Sequence, residues 1–225
     1  MAMLTWIPEV LRDAGLVVVE YPGWENRTTR ASGLTVNAVI CHHTATGPNV
    51  SNTAGARLLA NGRSDLKGPL SQLGLDRDGH FWMIAAGRCN HNGYGRFGND
   101  SIGIEAYNDG RGEPWPNKQV DAYQRGCAAL ISHTNLPVGH CIGHKESDPG
   151  RKIDPRGIDM IAFRRRVTEY MEDDMAVDLT PILNRLDAIE AKVDKVYDKI
   201  VDENTVRADI RLTREIALKV GVPAP

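Results

Sequence analysis

The chain has 225 residues, of which 41% are hydrophobic and 25% are charged, and its formal net charge is −2. This length allows one domain with an appendage or two small domains, and the apolar fraction is sufficient for a core. The near-neutral charge argues against a general affinity for nucleic acid or anionic membranes, and no apolar run is long enough to span a bilayer.

The first 33 residues predict a helix, a strand and an irregular arm that pack on the domain that follows. Apolar side chains recur at helical spacing over 7–14, and Gly15 ends this helix. The β-branched run at 16–19 predicts a strand. No basic segment precedes a long apolar one at the N-terminus, so we expect no secretory signal.

A buried strand is predicted at 35–41, and two adjacent histidines, His42 and His43, stand at its end. Neighbouring side chains on a strand point to opposite faces, so one histidine can bind a ligand while the other packs. In α/β domains the end of a central strand faces the crevice where ligands bind. The alternative for either residue is a core histidine bonded to a backbone carbonyl.

The middle of the chain predicts the other elements of an α/β domain. Glu105 lies inside a predicted strand, where it is either an exposed residue or a buried functional acid. A loop rich in glycine and asparagine at 88–100 carries His91. The predicted elements are a helix at 53–60, a hairpin at 73–84 with its turn at Asp78-Gly79, strands at 101–107 and 138–143, and helices at 117–134 and 159–172.

Four cysteines are present, and none belongs to a CxxC pair. This pattern predicts buried, reduced thiols and leaves metal ligation by cysteine open. The cysteines are Cys41, Cys89, Cys127 and Cys141.

The stretch 143–155 places a histidine, two basic residues and a carboxylate between glycines and prolines. Pro149 and Pro155 are incompatible with a regular helix or a central strand, so we expect a shaped loop of the kind that carries chemistry. His144 and Asp154 in this loop are competent zinc ligands.

With His42 as a third ligand, these residues match a catalytic zinc site, which has three protein ligands and one open position. Such a metal acidifies a water molecule and polarises a carbonyl group. A nearby carboxylate, Glu105, can accept the proton, and a nearby cation, Lys152, can stabilise the developing negative charge. This set of groups suits amide hydrolysis.

The C-terminal part of the chain has a different pattern. A polar linker is predicted at 173–179 and a helical segment at 180–221, with Thr180 as N-cap and Pro181 at the first helical position. Its register breaks near 202–205, which predicts a second helix. We expect self-association as a coiled coil; a hairpin folded back on the domain is the alternative. The heptad seam consists of Ile182, Leu186, Ile189, Val193, Val196 and Ile200.

Three segments, 39–46, 99–105 and 143–155, resemble in order the first zinc-ligand strand, the catalytic-glutamate strand and the closing motif of a known family. This family is the zinc-dependent N-acetylmuramoyl-L-alanine amidases, in the type 2 amidase and peptidoglycan recognition protein superfamily. The match lies in the branch where Asp replaces Cys as third ligand, and it covers roughly 34–170. It implies an α/β domain at 34–172 with a mixed central β-sheet flanked by helices.

The resemblance also implies roles for single residues. One Zn²⁺ per chain is expected on His42, His144 and Asp154, with Glu105 and Lys152 as catalytic residues. The expected reaction is cleavage of the amide between N-acetylmuramic acid and L-alanine in peptidoglycan. We expect substrate contacts from His91, Arg151 and Thr44. Many members have Tyr-His where this chain has Ser71-Gln72, so Glu105 must carry any role of that tyrosine.

The segment at 23–27 and the missing leader resemble endolysins of phages that infect actinobacteria. We therefore expect synthesis in the host cytoplasm, holin-dependent release and lysis of the wall. The expected partners are peptidoglycan and further copies of the chain bound through the C-terminal helix, without nucleic acid or membrane insertion. The alternatives are a non-catalytic peptidoglycan-recognition module, against which the complete ligand set argues, and a cytoplasmic muropeptide-recycling amidase. Avidity from self-association helps on a polymeric wall and disfavours the latter.

Overall fold

A computed structural model describes residues 3–30, 34–175 and 180–220. The chain divides into two compact units, Met1–Met175 and Ala176–Pro225.

Six strands of the first unit form one mixed sheet. Every neighbouring pair is parallel except β3 and β4, which form the antiparallel hairpin predicted around Asp78-Gly79. The order across the sheet is β1-β4-β3-β5-β2-β6. The predicted α/β class with a mixed sheet is thereby confirmed. The strands are β1 Val18–Glu20, β2 Val39–His43, β3 Leu73–Leu75, β4 Phe81–Met83, β5 Ile102–Ala106 and β6 Cys141–Gly143.

Strand β2 lies between β5 and β6 and is parallel to both. Its residues are apolar up to the histidines because a central parallel strand is buried on both faces. The carboxyl ends of these three strands therefore meet at one edge of the sheet. In this register His42 lies directly beside Glu105.

Helices cover both faces of the sheet. The larger core joins one face to α1, α3 and α5, with Leu11, Tyr123 and Phe163 fully or almost fully buried. On the other face, Leu59 of α2 and Tyr107 belong to a smaller buried cluster. The helices of this unit are α1 Ile7–Asp13, α2 Asn52–Asn61, α3 Asn117–His133, α4 His144–Ser147 and α5 Met160–Met175, with 3-10 turns at Trp24–Asn26 and Val138–His140.

Some local predictions for this unit were wrong. The stretch after β6 begins with a one-turn helix, α4, since its prolines lie beyond that turn and the Gly143 N–H donates to Glu146 Oε2 at 2.9 Å. Residues 138–140 form a 3-10 turn, so β6 begins only at Cys141. Helix α5 continues through Met175, so residues 173–175 are helical and not linker. The remaining predicted linker, 176–179, lies outside the described residues.

In the second unit, the described residues 180–220 form one helix, α6, Thr180–Val220, of 41 residues. The predicted break at 202–205 was wrong: these four residues include neither glycine nor proline, and ordinary residues cost at most about 0.7 kcal/mol each in a helix. Leu186 and Val193 of the predicted seam are 54% and 58% exposed. None of the helices in the described ranges is long and apolar enough to cross a membrane.

Candidate metal centre

Three predicted ligands converge at the carboxyl edge of the sheet. His42 Nδ1 lies 3.0 Å from His144 Nδ1 and 2.9 Å from Asp154 Oδ2, and His144 Nδ1 lies 3.0 Å from the same carboxylate oxygen. His42 is the last residue but one of β2, His144 begins α4 immediately after β6, and Asp154 comes from the loop beyond α4. We call these three side chains the ligand group.

The donor atoms of the ligand group suit a zinc ion. Two imidazole nitrogens and one carboxylate oxygen are among the commonest zinc donors, and each presents a lone pair when deprotonated. Three lone pairs at about 3 Å from one another repel unless a cation or protons lie between them. The fit therefore rests on both the donor types and their spacing.

The loop that carries Asp154 is fixed by Lys145 of α4. The backbone N–H of Lys145 donates to the Asp154 carbonyl at 2.8 Å, and its ammonium donates to the carbonyls of Pro155 and Ile158 at 3.0 and 2.6 Å. A short helix thus holds both His144 and the backbone of the third ligand.

His91, a histidine outside the ligand group, orients the ring of His42. His42 Nε2 lies 3.1 Å from His91 Nδ1, and His91 Nε2 lies 3.2 Å from the Ser101 carbonyl oxygen. Since that carbonyl only accepts, His91 carries its proton on Nε2, and its Nδ1 accepts from His42 Nε2–H. This arrangement leaves His42 Nδ1 unprotonated toward the ligand group, as metal ligation requires.

Ionisation within the ligand group is strongly perturbed. Burial lowers the pKa of His42, and this effect outweighs the favourable charge of Asp154. For Asp154, burial raises the pKa, but the imidazoles of His144 and His42 beside the carboxylate hold it well below its ordinary value. Burial, followed by the proximity of His42, places the pKa of His91 well below that of a free imidazole. These shifts favour a neutral His42 imidazole and an ionised Asp154 carboxylate, which are the ligating forms of these two groups.

Glu105 stands beside His42 on the neighbouring strand. Its Oε2 atom is buried and has no hydrogen-bond partner among the described residues. Burial, together with the charge of Asp154, raises the pKa of Glu105 to about 8, and the positive charge of Lys152 opposes this shift. A buried acid with a raised pKa and a free oxygen is poised to exchange protons.

A cavity of about 320 Å³ opens over the ligand group. Five other predicted site residues line it: Thr44, His91, Glu105, Arg151 and Lys152. Arg151 also forms an ion pair with Asp148, while Thr44 Oγ1 shares a hydrogen bond with Thr46 Oγ1 at 2.6 Å. All the site residues predicted from the sequence therefore lie at this one place in the structure.

Sequence reasoning missed other residues that line this cavity, among them Arg63 and Asn90. Arg63 follows α2 in a tight turn in which Gly62, with φ of +84°, pairs with Lys67. The sequence signal was Asn61-Gly62, which marks the helix end but not the direction of the chain after it.

Ser71 and Gln72, which replace the expected Tyr-His, are both fully buried. The side chain of Gln72 accepts from the Gly103 N–H at 2.7 Å and donates to the Gly87 carbonyl at 3.1 Å. The Ser71 hydroxyl donates to the Leu73 carbonyl at 2.9 Å. These two residues therefore tie backbone segments together.

The mixed sheet, the ligand group at its carboxyl edge and the adjoining acid are the features of a candidate hydrolase active site. A family profile described as N-acetylmuramoyl-L-alanine amidase (Amidase_2) matches residues 32–157, more than half of the chain. The chain therefore belongs to the N-acetylmuramoyl-L-alanine amidase family, enzymes whose substrate is peptidoglycan.

Solved structures support the fold. A mutant endolysin from Bacillus subtilis is 18% identical, with 68% of this chain and 99% of that one covered and a TM-score of 0.53. The amidase LysC from Clostridium intestinale URNW is 14% identical, with 68% of this chain and 97% of that one covered and a TM-score of 0.54. The Ph2119 endolysin from the Thermus scotoductus MAT2119 bacteriophage is 18% identical, with 67% of this chain and 98% of that one covered and a TM-score of 0.50. No curated protein sequence matches the chain.

Proposed function

We propose that this chain hydrolyses the amide between N-acetylmuramic acid and L-alanine of peptidoglycan with one zinc ion held by His42, His144 and Asp154. The observation that carries the proposal is the convergence of three zinc-type donors within 3.0 Å of one another, under an open cavity and beside a glutamate whose Oε2 atom is buried. Zinc bound there would supply Lewis acidity toward the amide carbonyl and the attacking water.

Side chains of the protein supply proton transfer, charge stabilisation and substrate binding. In its ionised form Glu105 accepts a proton from the attacking water through Oε2 and returns it to the leaving amide nitrogen, a role supported by its free, buried oxygen. Lys152 stabilises the negative charge that develops on the carbonyl oxygen. Thr44 and Arg151, at the cavity wall, hold the substrate.

For His91 we propose a positioning role instead of the substrate contact expected from sequence. Both of its ring nitrogens are engaged within the protein, one by His42 and the other by the Ser101 carbonyl. A substrate hydrogen bond would require one of these to break.

We further propose that the enzyme acts as a phage endolysin, made in the host cytoplasm and released to the wall by a holin. Endolysins among the solved structures of similar fold motivate this assignment. Residues 34–172 would form the catalytic domain, with 1–33 packed on it. The helical segment within 180–221 would join copies of the chain as a coiled coil, which is supported by its half-exposed apolar seam.

The decisive experiment measures zinc content and wall hydrolysis on the same protein. We expect about one zinc per chain, release of new L-alanine amino termini from sacculi, loss of activity on chelation and recovery with zinc. Soluble muropeptides assayed in parallel distinguish a wall enzyme from a recycling amidase. Activity that survives complete removal of zinc would contradict the proposal.

Asp154→Ala tests the ligand assignment. With only two ligands left, zinc affinity should fall by more than the roughly 10- to 100-fold expected for loss of an outer-shell partner. Asp159→Ala is the matched control, because Asp159 is an exposed carboxylate that caps α5 and should leave zinc content unchanged. Stoichiometric zinc in Asp154→Ala at low free zinc would refute the assignment.

A further inference from the structure

Three cysteine thiols meet on the face of the sheet that lies away from the active-site cavity. Cys41 belongs to β2, Cys141 to β6 and Cys127 to α3, and all three are fully buried. Cys41 shares a face with Val39, whose partner in the register is Cys141, and α3 covers this face. The three sulfur atoms all lie within 4.8 Å of one another, and those of Cys41 and Cys127 are 3.7 Å apart.

This spacing matches a metal ion bound by three sulfurs. A metal–thiolate bond of about 2.3 Å places the sulfurs about 4.0 Å apart around a planar three-coordinate ion. That value falls between the observed 3.7 Å and the 4.8 Å limit. An ion could therefore replace thiol protons at this position with small movements of the side chains.

The surroundings restrict the kind of ion. All three donors are sulfur, which selects soft ions such as Cu(I) or zinc. Zinc in structural sites requires a fourth ligand. The nearby hydroxyl of Tyr123 already donates to the carbonyls of His42 and Ile104 at 3.1 and 3.0 Å. A three-coordinate soft ion is therefore favoured over zinc.

We propose that Cys41, Cys127 and Cys141 form a second metal site, separate from the ligand group, that binds one Cu(I). The bound ion would join β2, β6 and α3, which is the helix that lies behind the strand carrying His42. The site would therefore be structural, and it does not depend on the proposed hydrolysis.

The fourth cysteine provides a matched control. Cys89 is also fully buried, but its thiol donates to the Gly87 carbonyl at 3.4 Å and it does not belong to the three-sulfur cluster. A substitution there changes a buried thiol without changing the proposed site.

The test offers Cu(I), without oxygen, to the full-length zinc-loaded protein in competition with a chromophoric Cu(I) chelator. Wild type and Cys89→Ser should each withdraw one Cu(I) per chain, and Cys127→Ser should bind at least about 100-fold more weakly. Failure of wild type to withdraw Cu(I), even after anaerobic refolding in its presence, would overturn the proposal. Equal binding by wild type and Cys127→Ser would overturn it as well.

Two further variants show whether the ion lies at the cysteines or at the histidines. Asp154→Ala, which disables the ligand group, should still bind one Cu(I); loss of Cu(I) there would assign the ion to the histidines and overturn the proposal. If Cys127→Ser does not fold, Cys127→Ala, which suits an apolar helical position, replaces it. Cu(I) should raise the melting temperature of wild type and Cys89→Ser but not of Cys127→Ala.

Discussion

At the scale of single residues, Glu105 is a carboxyl group whose surroundings oppose its charge. Its pKa of about 8 lies above the ordinary value of 4.5, with burial as the main cause. The folded metal-free protein thus keeps a proton on Glu105 that the unfolded chain releases between these two values. The stability contributed by this group is fully present below pH 4.5 and is lost as the pH rises toward 8.

The Glu105→Gln variant should lack this pH dependence. Between about pH 5.5 and 7.5, the free energy of unfolding of the metal-free wild type should fall by roughly 2 to 3 kcal/mol relative to that of the variant. This corresponds to a slope of about 1.4 kcal/mol per pH unit. Urea unfolding with a chelator present measures the difference. Glu25→Gln, at an exposed glutamate, should follow wild type. If the free energies of unfolding of wild type and Glu105→Gln changed in parallel with pH, Glu105 would ionise normally in the folded protein.

Lys152 should act on turnover and not on metal binding. It lines the cavity and is not one of the three ligands proposed for zinc. Lys152→Ala should retain zinc and lose about 100-fold in kcat, the effect of removing one group that stabilises an oxyanion. Lys118→Ala, at an exposed lysine paired with Asp78, is the control. Unchanged kcat in the zinc-loaded Lys152→Ala enzyme would remove this residue from the mechanism.

At the scale of elements, strand β5 makes room for His91 at Gly103. A Cβ atom at Gly103 would lie 2.7 Å from the Cγ and Nδ1 atoms of His91. Gly103→Ala should therefore displace the ring that orients His42 and lower zinc affinity by roughly 10- to 100-fold. Gly139→Ala is the control, because a Cβ there meets no atom within 4 Å. Equal zinc affinity in the two variants would argue against the positioning role of His91.

The sequence predicted the elements better than the contacts between them. Strands β2 and β5 were predictable because central parallel strands are apolar on both faces. The bond between His42 and His91 joins residues 49 positions apart, and no periodicity reports such a pairing. Arg63 was missed because its position depends on the backbone conformation of Gly62. In α6, a change in the apolar pattern was taken for a helix end, although no residue there breaks a helix.

At the scale of the whole molecule, the two compact units predict separable functions. A chain ending at Met175 retains the sheet, the cavity and the ligand group within one compact unit. It should be monomeric and should hydrolyse soluble muropeptides at the rate of the full chain, since the residues that line the cavity belong to this unit. Sedimentation and initial rates check both points. The same number of chains per particle with and without α6 would refute the self-association proposed for that helix.

The order of the ligands along the chain has a consequence for biosynthesis. His42 lies 102 residues before His144 and 112 before Asp154, yet all three share one site. A ribosome-bound chain cannot complete the site until residue 154 has emerged and β6 has paired with β2. Binding of the proposed zinc ion is thus expected only at the end of domain folding.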